Sequence, residues 1–270
     1  MVSTILVPII GLGTLGLFFG LFLAYASKKF KVEVDPKVEQ VLEVLPGANC
    51  GGCGYPGCSG YAEAVVKGIA EIDLCAPGGA AVIEEIARIL GKENTGSTVP
   101  KIAAVHCRGG KAEAKERFLY QGIFDCTAAQ LVAGGSKACV YGCLGLGSCV
   151  RACPFDALSM GSNGLPVVDE KKCTGCGICV KTCPRNIISL IPITQKIFIG
   201  CVSHEKGKIV KTICSVGCIG CGLCARLKVT PSGAIEMDDN LPIIKDPLAE
   251  DLPTAAEKCP TNSFVVRNAS

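Results

Sequence analysis

The first 27 residues form an apolar run without one charged side chain, and Lys28, Lys29 and Lys31 follow it at once. From Val2 to Ala26 the run is long enough to cross roughly 30 Å of hydrocarbon as a single helix. Basic residues at its C-terminal end place the bulk of the chain on the cytoplasmic side, by the positive-inside rule. The pattern then shortens. PKVEQVLEVL (36–45) predicts a short helix with Pro in its first turn. GYAEAVVKGIAEI (60–72) and GAAVIEEIARIL (79–90) carry apolar residues at helical spacing. KENTGSTVP (92–100) has the composition of a linker. Further on, CPFDALSM and CPRNIISL predict two equivalent helix-to-strand passages, and GAIEMDD and LPIIKD predict strands.

Two motifs in the apolar run mislead. Gly11, Gly13 and Gly16 fit G-x-G-x-x-G, with Asp35 downstream. A dinucleotide site needs a strand before the glycines and another under the acid, whereas these glycines sit inside a membrane-length segment. Ala24-Tyr25-Ala26 resembles a signal-peptidase site, but there is no basic n-region and the run is too long for an h-region. The row Gly16, Gly20, Ala24 fits close approach of another membrane helix. With no ionisable group in the span, this helix does not conduct ions by itself.

Composition changes the picture decisively. Hydrophobic residues make up 49% and the formal charge is only +3, which excludes disorder and a nucleic-acid binder. Aromatics are 5%, with no Trp, so there is no large aromatic core. Twenty cysteines and 33 glycines in 270 residues imply that something besides apolar packing holds the chain together.

Spacing identifies the cysteine chemistry. Cys173-x2-Cys176-x2-Cys179-x3-Cys183-Pro184 matches the bacterial ferredoxin run, whose fourth Cys ligates the neighbouring cluster. Zinc fingers need paired C-x2-C units, often with His, and the two histidines, His106 and His204, have no partner at metal spacing. Closely spaced C-x2-C-x2-C cannot pair internally as disulfides without strain. The preceding half is less regular: Cys139-x3-Cys143-x5-Cys149-x3-Cys153-Pro154, with Leu146 and Gly147 where a middle Cys would stand. Cys139 is expected to substitute. Crossed ligation then assigns Cys139, Cys143, Cys149 and Cys183 to one [4Fe-4S] cluster, and Cys153, Cys173, Cys176 and Cys179 to the next. Upstream, Cys50-x2-Cys53-x4-Cys58 and Cys75 make a second type of site, on a Gly-rich loop plus one ligand beyond a helix. A four-thiolate zinc site is the alternative there. A third ferredoxin-like unit keeps one site, from Cys218, Cys221, Cys224 and Cys259; Lys228 stands where its own C-x3-C cysteine should be.

Cys107, Cys126, Cys201 and Cys214 remain. They form a fifth cluster, sit as free buried thiols, or share ligands differently; no local motif decides. A [4Fe-4S]2+ core with four thiolates adds −2, so the loaded chain carries about −5 with four clusters and about −7 with five. Docking an acidic electron carrier therefore needs a local basic patch, for which Arg151, Lys171, Lys172, Lys181 and Arg185 are candidates.

The order of these features resembles the B subunit of Rnf, the membrane-bound, ion-translocating ferredoxin:NAD+ oxidoreductase complex. The likeness covers essentially the whole chain. It rests on the membrane helix, the CGGCGYPGC motif (Cys50 to Cys58) with Cys75, and the ferredoxin unit. A related cluster domain occurs in corrinoid iron–sulfur proteins, which lack the membrane helix. The single-cluster unit at the C-terminus and Cys107 and Cys126 go beyond the minimal family pattern. The resemblance implies an α+β chain: transmembrane helix 1–27, helical 4Fe-4S domain 28–91, two-cluster ferredoxin-like domain with its linker 92–200, and single-cluster module 201–270. It implies electron entry from reduced ferredoxin and delivery toward membrane and NAD-reducing subunits, coupled by the complex to Na+ or H+ movement. The expected location is the inner membrane, single-pass, with the cluster domains in the cytoplasm. A related complex that reduces a redox-sensing transcription regulator has the same architecture and is the alternative. No flavin, nucleotide or catalytic acid–base site is expected on this chain.

Overall fold

A computed structural model describes residues 2–30, 35–92 and 99–267, with side chains in the first helix described from Ile10 onward. Most of the expected linker, residues 93–98, lies outside the described residues, as does Lys31.

Helix α1 (Val2–Lys29) ends on Lys28 and Lys29. Its segment Ile10–Lys29 has a mean hydropathy of 1.7 and none of it is buried, so it is long and apolar enough to cross a membrane. Gly11, Gly13 and Gly16 lie inside this continuous helix, and among the described residues nothing beyond the adjoining helix backbone comes within 4 Å of a Cβ built at any of them. The glycine run is continuous helix and not a strand-to-helix phosphate turn.

A small helical domain follows. Asp35 caps α2 (Pro36–Val44) by accepting from the Lys37 N–H, and Pro36 fits the first turn. Val38, Val41 and Leu45 pack on Tyr61 and Val65 of α3 (Gly57–Val66) and on Ile86 of α4 (Gly79–Leu90). Tyr61 is nearly inaccessible, and its hydroxyl donates to the Glu71 carbonyl at 2.9 Å, which fixes the loop leading to Cys75. Gly91, left-handed at φ +66°, stops α4.

The rest consists of two units with the same nested pairing. In the first, β1 (Lys101–Val105) runs antiparallel to β4 (Ile188–Pro192), with the hairpin β2 (Leu158–Met160) and β3 (Pro166–Val168) inside it. Helices α5 (Cys126–Leu131), α6 (Ser148–Arg151) and α7 (Ile178–Thr182) complete it. In the second, β5 (Ile197–Ile199) pairs with β8 (Phe264–Val266), around β6 (Ile235–Asp238) and β7 (Leu241–Ile244), with α8 (Gly207–Ile213) and α9 (Leu252–Glu257). The strand that opens this unit thus precedes the boundary expected at residue 201. Thiols sit in both cores: Cys143, Cys149 and Cys179 beside Leu158, Ile187 and Ile188, and Cys201, Cys218 and Cys224 beside Ile199, Ile235 and Phe264.

Residues around Cys107 tie the two units together. The His106 ring bridges the Ile199 carbonyl (Nδ1, 2.6 Å) and the Ser189 hydroxyl (Nε2, 2.7 Å). Arg108 donates to the Phe264 carbonyl at 2.8 Å.

Candidate metal centres

All twenty cysteines are free thiols. Among the described residues, no three His, Cys, Asp or Glu side chains close tightly enough to hold one metal ion. The thiols instead ring larger apolar cavities. Cys153, Cys173, Cys176 and Cys179 line one with Phe155, Leu158 and Leu190. Cys218, Cys221, Cys224 and Cys259 line another with Met237 and Phe264. In the helical domain, Cys53, Cys58 and Cys75 join one core, and the Cys58, Cys53 and Cys50 thiols all lie near Cys75.

The remaining eight thiols group differently from the expected ligation. Cys126, not Cys139, faces the cavity that holds Cys143, Cys149 and Cys183. Cys139 faces a separate cavity with Cys107, Cys201 and Cys214. The reason is local. Asp125 caps α5 through the Ala128 N–H and accepts from the Ser148 hydroxyl at 2.8 Å. Ser148 Oγ in turn accepts from the Cys126 N–H at 2.8 Å. This pins the first turn of α5 to the first turn of α6, beside Cys149. At Cys139 the chain reverses through a turn closed by the Gly142 N–H on the Cys139 carbonyl (3.1 Å), so Cys139 and Cys143 point into different cavities. The signal in the sequence was Asp125, an N-cap directly before a cysteine.

Gly-rich turns bring amides to sulfur. Gly147 (φ +70°) and Gly177 (φ +78°) are the left-handed N-caps of α6 and α7, which carry Cys149 and Cys179. The Ala103 N–H donates to Cys173 Sγ at 3.4 Å, Gly145 N–H to Cys143 Sγ at 3.4 Å, and Ser263 N–H to Cys259 Sγ at 3.3 Å. Such bonds stabilise negative charge on ligand sulfur and raise a cluster's potential. Burial pushes the Cys143 and Cys179 thiols up to about 12 and those of Cys149, Cys218 and Cys224 to about 11, with neighbouring thiols adding repulsion. Thiols this reluctant to ionise need a metal to displace their protons.

Buried cations complete the fit. Lys137 and Arg185 are only 5% and 9% exposed, and among the described residues neither pairs with a carboxylate. Lys137 donates to the Gly109 carbonyl and lies near Cys143 and Cys214. Arg185 donates to the Gly134 carbonyl, while among the described residues its Nε has no partner; Cys139, Cys183 and Cys143 are close. A buried cation is costly without an opposing charge. Thiolate cages carrying −2 supply that charge, so the donor set and its surroundings fit iron–sulfur clusters. Burial also removes Arg185 from the docking candidates. Arg151, Lys171, Lys172 and Lys181 remain exposed; Lys181 reaches the Gly52 carbonyl at 3.4 Å, Arg151 the Leu146 carbonyl at 2.8 Å, and Lys172 pairs with Asp169 at 3.9 Å.

The groups adjoin one another in a single order. Cys50 of the helical domain lies near Cys176. Cys179 lies near Cys149. The Cys143 N–H donates to Cys107 Sγ at 3.4 Å. Cys218 lies near the Cys201 sulfur.

Fold and thiol sets together define an iron–sulfur protein with helical and mixed helix–sheet cysteine-rich units. Two family models agree: residues 45–77 match a putative Fe-S cluster domain and residues 166–189 a 4Fe-4S binding domain. The chain is 46% identical, over 97% of its length and 92% of the relative's, to the B subunit of the proton-translocating ferredoxin:NAD(+) oxidoreductase complex of Clostridium ljungdahlii. It is 45% identical, over 81% of its length and 65% of the relative's, to the B subunit of the Na(+)-translocating ferredoxin:NAD(+) oxidoreductase complex of Acetobacterium woodii. To the B subunit of the ion-translocating oxidoreductase complex of Methanosarcina acetivorans it is 40% identical over 99% of its length and the whole of that relative. The chain belongs to the B-subunit family of the Rnf ion-translocating ferredoxin:NAD+ oxidoreductase complex.

Proposed function

We propose that this chain relays single electrons from reduced ferredoxin toward the membrane and NAD-reducing subunits of its complex. The observation that carries the reading is the serial order of the thiol groups, each adjoining the next from Cys50 to Cys218. [4Fe-4S] clusters supply one-electron transfer when bound. Cys50, Cys53, Cys58 and Cys75 would hold one; Cys153, Cys173, Cys176 and Cys179 a second; Cys126, Cys143, Cys149 and Cys183 a third; Cys218, Cys221, Cys224 and Cys259 a fourth. The chain's own part is to exclude water from the thiols, aim amides at sulfur and bury Lys137 and Arg185 beside them.

The order suggests a direction. Cys221 is the one exposed cysteine, so the C-terminal centre is the donor end. The helical domain is the delivery end: only residues 30–35 separate α1 from α2, a reach of roughly 20 Å fully extended. Lys28 and Lys29 orient the cluster domains to the cytoplasm. Relatives whose names specify ion translocation favour this over reduction of a transcription regulator.

The test is to mix the anaerobically prepared, detergent-solubilised full chain with pre-reduced ferredoxin. Rapid bleaching of the iron–sulfur absorption, with cluster EPR signals appearing, is expected. A colourless preparation, or no bleaching, overturns the reading.

A further inference from the structure

We infer that Cys107, Cys139, Cys201 and Cys214 hold a fifth [4Fe-4S] cluster, built across the seam between the two ferredoxin-like units. Neither matched domain (residues 45–77 and 166–189) includes any of these four cysteines. The inference rests on the relay reading and adds its missing connection, because these thiols alone adjoin both Cys143 on one side and Cys218 on the other.

The four thiols come from four separate segments. Cys107 follows β1, Cys139 lies between α5 and α6, Cys201 follows β5 and Cys214 ends α8. They line one cavity with Val202, Val210 and Val216, and Cys201, Cys107 and Cys214 are the thiols near Cys139. Glycines clear the space around the sulfurs. A Cβ at Gly109 would stand 3.2 Å from Cys214 Sγ, one at Gly142 3.6 Å from Cys139 Sγ, and one at Gly217 3.6 Å from Cys214 Sγ. The cavity has the same make-up as those at Cys149, Cys224 and Cys179, four thiols around a mainly apolar lining. Four free thiols around one largely apolar cavity, none paired as a disulfide and too far apart for a single ion, match a cubane and not a mononuclear metal. Lys137, buried and near both Cys143 and Cys214, provides positive charge to both thiol sets.

Iron and acid-labile sulfide, counted on the anaerobically reconstituted full chain, test the site without recourse to turnover. The wild-type chain is expected to hold about twenty irons. The C107A/C139A and C201A/C214A double variants should each lose about four, and the quadruple variant combining them also about four, because all remove one cluster. Adding C126A/C143A to C201A/C214A should raise the loss to about eight. A wild-type content of about sixteen irons overturns the fifth site, and this count depends on no variant folding. Additive losses from the first two double variants overturn it as well. A chain with no iron would instead overturn the relay reading beneath it.

Discussion

Gly52 lies directly on the backbone of Cys176: a Cβ built at Gly52 would stand 2.5 Å from the Cys176 carbonyl oxygen. Lys181 reinforces the contact by reaching the Gly52 carbonyl. The helical domain is therefore seated on the ferredoxin unit at the point where Cys50 and Cys176 are neighbours. A side chain at Gly52 must displace backbone, not a flexible tip. Gly52→Val is expected to weaken this docking by about 1–3 kcal/mol. Iron content should stay unchanged while electron exchange between the two domains slows. Rapid-freeze EPR after reduction by ferredoxin checks this; unaltered exchange would show that the seat is not the route.

The contact also bears on the expected linker. A flexible linker at 92–100 would let the modules swing between partners, yet the residues on either side of it bring Gly52 and Cys176 together. Cross-linking the helical domain to the ferredoxin unit distinguishes a permanent seat from an alternating one: full turnover after cross-linking supports the permanent seat.

Removing the buried charge of Lys137 tests its electrostatic role. In Lys137→Met the packing stem is kept and the ammonium is lost. A unit charge roughly 10 Å from a centre in a medium of effective dielectric about 20 is worth on the order of 1–2 kcal/mol. For a one-electron couple that is tens of millivolts. Because the lost charge favoured the more negative reduced state, potentials should move downward. Potentiometric EPR titration should show the shift in the centres at Cys143 and Cys214, and none at Cys50.

How much of this was legible follows from the range of each interaction. Where ligands are close in sequence, as from Cys173 to Cys179 or Cys218 to Cys224, one Gly-bearing loop holds them and spacing alone reveals the site. Helices α2 and α4 were equally legible, since their apolar faces recur at helical period. Cys126 and Cys139 were not, because which cavity each faces depends on Asp125 and Ser148 joining two distant helix starts. Strands β1, β5 and β8 carry few alternating positions, and their pairing joins residues about 65–90 apart, as from Ile199 to Phe264. Local pattern does not encode such pairings.

Arg267 and Glu170 form the other long-range clamp. Arg267 donates through Nε (2.6 Å) and Nη2 (2.5 Å) to the two carboxylate oxygens of Glu170, and through Nη1 to the Gln195 carbonyl at 2.6 Å. The pair ties the end of β8 to the turn before Cys173, and the Arg267 side chain is 10% exposed. Glu170→Gln is expected to cost about 1–3 kcal/mol by leaving the guanidinium poorly partnered. The Arg267 hydrogen bonds hold the Glu170 carboxyl below the usual range. A carboxyl depressed in the folded state stabilises above its unfolded pKa, and that contribution is lost as pH falls through the folded value. The difference in melting temperature between wild type and Glu170→Gln should thus be full at pH 7 and narrow below about pH 4.5. A difference that does not change with pH would assign the cost to packing.

Exposure sets the order in which the centres fail in air. Cys221 is open to solvent, whereas Cys143, Cys149, Cys179 and Cys201 are buried. Oxidative attack follows access to the sulfur and the metal. Brief exposure of the reduced chain to oxygen should therefore remove the signal of the C-terminal centre first, with a loss of about four irons, while the centre at Cys149 persists. Burying Cys221 under bound ferredoxin should slow that loss. Simultaneous decay of all centres, or no protection by ferredoxin, would place the donor's docking face elsewhere on the chain.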